Sequence, residues 1–203
     1  MIHLSKYFPE LTPDQIKQFT EAKRLYTSWN DKINVISRKD IDQLEINHFV
    51  HSLTITKYCS LESAEKVLDV GTGGGFPGIP LAIYYPHVSF TLADSIGKKI
   101  SVVQAIADEI GLDNVTAIKS RVEDLDDKYD FITCRAVAKL ANIKKWTKKL
   151  TKEDTRLLAL KGGDLKEEIK ASKLKTTLHS LYEDFPETQF KDKVLLNCLL
   201  QKS

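Results

Sequence analysis

Residues 67–83, VLDVGTGGGFPGIPLAI, set five of the chain's nine glycines between positions 71 and 78, with an apolar run on either side. Glycine permits sharp turns and the close approach of another molecule. A strand, this loop and a following helix therefore read as a ligand seat, with backbone N–H groups presented at the strand's carboxyl end. Gly71 and Gly73 belong to that turn. Asp69, just ahead of the loop, would sit poorly beside a pyrophosphate and suits a positively charged ligand, such as an amino group or a sulfonium. Asp94 closes the next apolar run, TLAD, about twenty residues on, where a carboxylate accepts hydrogen bonds from both hydroxyls of a ribose. Val122 and Glu123, in SRVED, stand where a base would be gripped at the same pocket edge. Loop, ribose acid and base edge together describe a nucleoside with a non-phosphate tail. S-adenosylmethionine fits that description.

A rival reading is a dinucleotide-binding oxidoreductase using NAD, because GGGFPG (73–78) formally matches GxGxxG. Such a loop normally starts at the first glycine after the strand. Counted from Gly71, the third glycine is replaced by Phe76, so the match is weak.

The elements that must position these residues alternate. KVLDV (66–70), SFTLAD (89–94), NVTAIKS (114–120), YDFITCR (129–135) and TRLLALK (155–161) read as strands, and 77–85, 97–111 and 139–150 as helices. Alternating units of this kind build a parallel sheet with helices on both faces. LKTTLHSLY (174–182) and KVLLNCLLQ (193–201) read as two further strands without a helix between them, an antiparallel pair at one sheet edge. Ahead of the first strand the pattern is helical. Thr12 as N-cap, Pro13 and Gln15 form a capping box opening a helix that runs through Ile16, Phe19, Tyr26 and Trp29. A second helical region follows SRKD through Ile41, Leu44, Phe49 and Leu53 toward Tyr58.

The 203 residues carry a net charge of +2, unevenly spread. Residues 67–134 hold 5 basic and 10 acidic side chains, whereas 135–176 hold 13 basic and 5 acidic. A basic block beside an acidic half points to a polyanionic partner. In AKLANIKKWTKKLTK (138–152), Leu140, Ile143, Thr147 and Leu150 share one helix face and Lys144, Lys145, Lys148, Lys149 and Lys152 occupy the others. Such lysines suit salt-dependent phosphate contacts. Three scattered cysteines without a CxxC or Cys/His cluster suggest neither zinc nor a disulfide framework. With no evident secretory signal and no run long enough to span a bilayer, the expectation is a cytoplasmic protein without membrane or metal partners.

With these residues in view, the chain resembles the ribosomal RNA small subunit methyltransferase G family, also called glucose-inhibited division protein B. The likeness runs in order through YTSWNDKINVIS (26–37), NHFVHSL (47–53), the glycine loop, LADSIGKKISVV, SRVED, FITCRAVAKL and LALKGG. It implies an α/β, class I S-adenosylmethionine-dependent methyltransferase fold. That fold is Rossmann-like, with a mostly parallel seven-stranded sheet ending in an antiparallel hairpin. It further implies a single domain over 1–203, with residues 1–62 as a helical extension and 63–203 as the cofactor-binding core. The activity implied is methylation of N7 of a guanine in the decoding-centre loop of 16S rRNA, with 16S rRNA or the small ribosomal subunit as partner. By the same resemblance Gly71, Phe76, Val122, Glu123 and Arg135 contact the cofactor beside Asp94, and Asn34, His48, Arg135 and Lys161 lie on the substrate side. The family usually reads Arg-His-(Ile/Phe)-(Leu/Val)-Asp-Ser where this chain has Asn47 and His51, so no catalytic role is assigned to those two. N7 carries a lone pair and no proton, so transfer requires no general base. Arg135 then has three possible tasks: bonding O6 of the guanine, bonding a phosphate, or meeting the cofactor carboxylate. A non-catalytic nucleotide-sensing module would keep the loop and Asp94 but would not need Arg135 and Lys161.

Overall fold

The computed structural model describes residues 1–37 and 40–200. Arg38 and Lys39 of SRKD, and Gln201 at the end of the last expected strand, lie outside them. Among the described residues seven strands form one sheet: β1 (Lys66–Val70), β2 (Ser89–Asp94), β3 (Val115–Lys119), β4 (Tyr129–Arg135), β5 (Thr151–Gly162), β6 (Lys175–Ser180) and β7 (Lys193–Leu199). Their spatial order is β3-β2-β1-β4-β5-β7-β6. The first five run parallel, and β7 is inserted antiparallel between β5 and β6. The terminal hairpin is therefore at the edge as expected, with its second strand on the inside. β7 is flanked on both sides and reads KVLLNCL, whereas β6 is an edge strand and carries exposed Lys175, Thr177 and Leu178.

Alternate strand residues serve opposite faces. Val67, Phe90, Leu92, Leu158 and Leu195 join a core with the helices on one side, and Leu68, Val70, Ile132, Cys134 and Leu196 join a second core on the other. The first face is covered by α4 (Gly78–Tyr84), α5 (Gly97–Glu109) and the N-terminal elements α1 (Ile2–Tyr7), α2 (Pro13–Asn30) and α3 (His51–Tyr58). The second carries α6 (Leu140–Thr147) and α7 (Lys166–Ser172).

The capping box of α2 forms as expected: the Gln15 N–H donates to Thr12 Oγ1 at 3.3 Å, and the Thr12 N–H to Gln15 Oε1 at 2.9 Å. The second helical region is not uniform. A 3-10 turn (Ile41–Gln43) leads into a π-helical turn (Glu45–Val50) before α3 begins. There the His51 N–H reaches the Ile46 carbonyl five residues back, a widening often found where a helix serves a site. Glu45 accepts the His3 and Leu4 N–H groups at 2.8 and 3.0 Å and so anchors α1. Both α1 and α7 are too short to betray a helical period in the sequence.

Candidate active site

The carboxyl ends of β1, β2 and β4 open onto a cleft of about 540 Å³. Its lining includes Gly71, Gly73, Phe76, Asp94, Val122, Glu123 and Arg135. All the residues expected on the cofactor side thus come together. Asp94 is wired into the loop: Oδ2 accepts the Gly73 N–H at 2.9 Å, and Oδ1 accepts the Ile96 N–H at 2.8 Å. Each carboxylate oxygen retains a second lone pair, enough to receive two ribose hydroxyls. Gly71, at φ +62°, presses so close to the loop after β4 that a Cβ there would lie 2.9 Å from both Val137 methyls.

Asp69 requires a correction. It does not line the cleft. Its side chain is fully buried, with Oδ2 accepting the Thr72 hydroxyl at 2.6 Å and the Gly78 N–H at 3.0 Å, and Oδ1 accepting the Thr133 hydroxyl at 3.0 Å. Burial pushes its pKa up to about 6, against the pull of those hydrogen bonds. Asp69 staples the start of α4 to β1 and β4, which shapes the loop from beneath.

The extension also reaches the loop. Tyr26 of α2 is fully buried and donates its hydroxyl to the Gly74 carbonyl at 2.7 Å. The Phe76 ring, 3% exposed, packs 5.0 Å from the Tyr26 ring and 4.7 Å from His48. Helix α2 is therefore part of the site's foundation.

Arg135 is the last residue of β4. It is followed by Ala136, held at φ +53°, a left-handed conformation that costs a non-glycine residue roughly 1 kcal/mol. Arg135 and Ala136 also line a second cleft of about 440 Å³, together with Asp40, His48, Leu160, Phe190 and others. The guanidinium carbon lies 5.0 Å from the centre of the Phe76 ring, a cation–π arrangement. Nη1 donates to the Asn47 carbonyl at 3.2 Å and Nη2 to His48 Nδ1 at 2.7 Å. Burial lowers the Arg135 pKa to about 10, so the group stays charged at neutral pH. Burial also lowers His48 to about 3, with the Arg135 charge adding to the effect, so its ring is neutral.

The remaining expected residues are placed differently. Lys161 lines the second cleft, but its ammonium donates to the Ala138 carbonyl at 2.7 Å and pairs with Glu168 at 2.7 Å. Glu168 in turn accepts the Leu140 N–H at 2.8 Å, so this pair braces the segment between β4 and α6. Asn34 is exposed and lines neither cleft, whereas its neighbour Val35 lines the first. Trp146 of α6, which the sequence reading used only as part of a lysine-rich helix, joins Val122 and Glu123 in the wall of the first cleft. Its signal was available: it is the one aromatic residue in that segment. Among the described residues no group of three or more His, Cys, Asp or Glu could hold a metal ion. No helix there is long and apolar enough to cross a membrane.

The all-parallel dinucleotide fold has no reversed strand inside its sheet. A sheet ordered β3-β2-β1-β4-β5-β7-β6 with β7 reversed, carrying a nucleoside-sized cleft behind a glycine loop and an acid closing β2, is that of the class I S-adenosylmethionine-dependent methyltransferases. A solved S-adenosylmethionine-dependent methyltransferase from Aquifex aeolicus superposes with a TM-score of 0.59 at 16% identity, over 77% of this chain and 93% of that one. The family model for rRNA small subunit methyltransferase G matches residues 15–194, and the chain belongs to that family. It is 50% identical to the ribosomal RNA small subunit methyltransferase G of Christiangramia forsetii, over 94% of this chain and 92% of the relative. It is 47% identical to that of Porphyromonas gingivalis, over 94% and 89%. Neither the NAD-dependent oxidoreductase nor the non-catalytic module finds support.

Proposed function

We propose that this chain, acting in the cytoplasm, methylates N7 of a guanine in the decoding-centre loop of 16S rRNA, as naked RNA or within the small subunit. One observation carries the reading: Arg135 forms a shared wall between the cleft behind the glycine loop and a second one of about 440 Å³. Bound S-adenosylmethionine supplies an electrophilic methyl group on a positively charged sulfur. Asp94 takes the ribose, Val122, Glu123 and Trp146 the adenine edge, and Gly71, Gly73 and Phe76 the body of the cofactor. Arg135 stands between the two ligands and positions them. Its charge is already partnered by the Asn47 carbonyl, His48 and the Phe76 face. Positioning of this kind suits a nucleophile that has no proton to lose. On the second cleft the imidazole of His48 is held neutral.

The test is incubation of the purified chain with labelled S-adenosylmethionine and small subunits lacking the modification, followed by mapping of the labelled base. A single guanine should carry the label, and borohydride followed by aniline should cleave the RNA there, as they do at N7-methylated guanines. Label on an exocyclic nitrogen or a ribose oxygen would overturn the reading.

Lysines 145 and 148 of the α6 region form no ion pair among the described residues, whereas Lys149 pairs with Asp126 and Lys152 with Asp130 and Glu65. Lys145 and Lys148 border a hollow with Trp146, Lys128 and Lys149. Replacing both with alanine should lower the slope of log affinity against log salt for RNA by about 1–2, since each phosphate contact contributes roughly 0.7–0.9. Lys152→Ala, whose ammonium is already engaged, should leave the slope unchanged. Filter binding across a salt series checks both.

A further inference from the structure

The second cleft holds polar groups that methyl transfer as such does not require. Resting on the guanine reading above, we propose that it recognises the Watson–Crick edge of the target base, with Asp40 accepting the N1–H and 2-amino protons.

The His48 proton follows from its partner. Arginine can only donate, so the 2.7 Å contact makes Nδ1 the acceptor and leaves the ring proton on Nε2. The His48 residue is 9% exposed, and Nε2 is buried with no hydrogen-bond partner among the described residues. With less than 1 Å² of its surface open, that nitrogen meets no incoming atom, and the ring serves as a fixed wall of the cleft. Asp40 lines the same cleft. The Ser37 hydroxyl, at 2.6 Å on Oδ2, and the Asn47 amide, at 3.0 Å on Oδ1, hold its carboxylate in place, and a lone pair remains on each oxygen. The Ser37 hydrogen bond keeps its pKa below the usual carboxylate range, against the effect of partial burial.

The Asn47 residue that steadies Asp40 with its amide also receives Arg135 on its carbonyl. Through that one residue the carboxylate and the guanidinium are held as neighbours. Guanine presents two donors side by side to that carboxylate, at N1 and N2. Adenine offers a donor at C6, an acceptor at N1 and nothing at C2. An adenine would set its N1 lone pair against the carboxylate, a mismatch with no donor at C2 to offset it. Leu160, Ala136 and Phe190 supply apolar walls, and exposed Lys193 stands at the cleft as a phosphate partner.

Asp40 also acts on rate. As the N7 lone pair bonds to the methyl carbon, the carbon–sulfur bond breaks, its electron pair stays on sulfur, and the positive charge passes to the purine. No proton moves. The charged ring makes N1–H a stronger donor, so its bond to Asp40 tightens during transfer. An interaction stronger in the transition state than in the ground state raises kcat.

The experiment uses the full chain and 16S RNA ligated to carry guanosine or inosine at the target, inosine lacking only the 2-amino group. Wild type should methylate inosine about tenfold more slowly than guanosine. Asp40→Asn should lower kcat on guanosine by at least about 50-fold and bring the guanosine-to-inosine ratio within about twofold. Its affinity for S-adenosylhomocysteine should hold, because Asp40 does not line the first cleft. Equal wild-type rates on the two bases would overturn the proposal, and that comparison needs no variant. So would an Asp40→Asn enzyme that keeps the wild-type ratio. Wild type leaving N7 of both bases unmethylated would overturn the underlying guanine reading, and this proposal with it.

Discussion

Arg135→Ala will lower kcat by about 10²–10³-fold while changing the dissociation constant of S-adenosylhomocysteine by less than about fivefold. The split follows from where the guanidinium sits. It belongs to the walls of both clefts, yet the partners that fix it, the Asn47 carbonyl and His48 Nδ1, both belong to residues of the second. Removing it frees His48, which lines the second cleft, from its defined tautomer. The carbonyl and the imidazole nitrogen also lose a charged donor, so a stability loss of about 1–3 kcal/mol should accompany the kinetic effect. Arg135→Lys keeps a positive charge but not two donors in a fixed fork, and its kcat should stay within about tenfold of the alanine variant. Single-turnover rates together with calorimetric titration of the cofactor product separate these quantities. Equal losses in kcat and in cofactor affinity would move Arg135 to the cofactor side.

The parts of this site that were legible in the sequence are those written in local pattern. The strands announce themselves by β-branched and apolar runs, the ligand seat by its glycines, and Asp94 by its position at the end of a strand beside that seat. The α6 amphipathicity was equally plain, with Leu140, Ile143, Thr147 and Leu150 all buried. What depends on the third dimension was not. Asp69 and Asp94 both stand near the carboxyl end of a strand beside the loop, and nothing local says that one points under the loop and the other into the cleft. The difference arises because Thr72, Thr133 and Gly78 converge on Asp69 from three elements. Lys161 likewise sits in a strand facing the site, but Glu168, on a helix too short to foresee, holds its ammonium. The insertion of β7 between β5 and β6 could not be read from two successive strands, because hairpin order is fixed by which strand can bear burial on both sides.

The support that α2 gives the glycine loop was also invisible in sequence, and it leads to the largest expected effect on stability. Gly75 stands at φ +92°, where a side chain is strained whatever the space around it. A Cβ there would lie 2.8 Å from Ile79 Cγ1 and 2.9 Å from the Tyr26 hydroxyl. Ile79 and Tyr26 are both fully buried in the core that joins the extension to the sheet, so neither can retreat into solvent. If Tyr26 yields, its hydrogen bond to the Gly74 carbonyl is lost and that acceptor is left unsatisfied. If the loop yields, the N–H of Gly73 leaves Asp94. Gly75→Ala should therefore cost at least about 3 kcal/mol in stability and weaken S-adenosylhomocysteine binding by more than about 100-fold. Gly73 is the contrast. It too has positive φ, +58°, but the nearest atom to its Cβ would be the Gly71 carbonyl oxygen at 3.9 Å. Gly73→Ala should cost only the backbone strain, roughly 1 kcal/mol, and should leave the melting temperature within a few degrees of wild type. Thermal unfolding of the two variants, with and without the cofactor product, distinguishes a loop braced by α2 from one that is simply flexible. Equal stabilities would show that α2 does not hold the loop, and the extension would then lose its place in the architecture of the site.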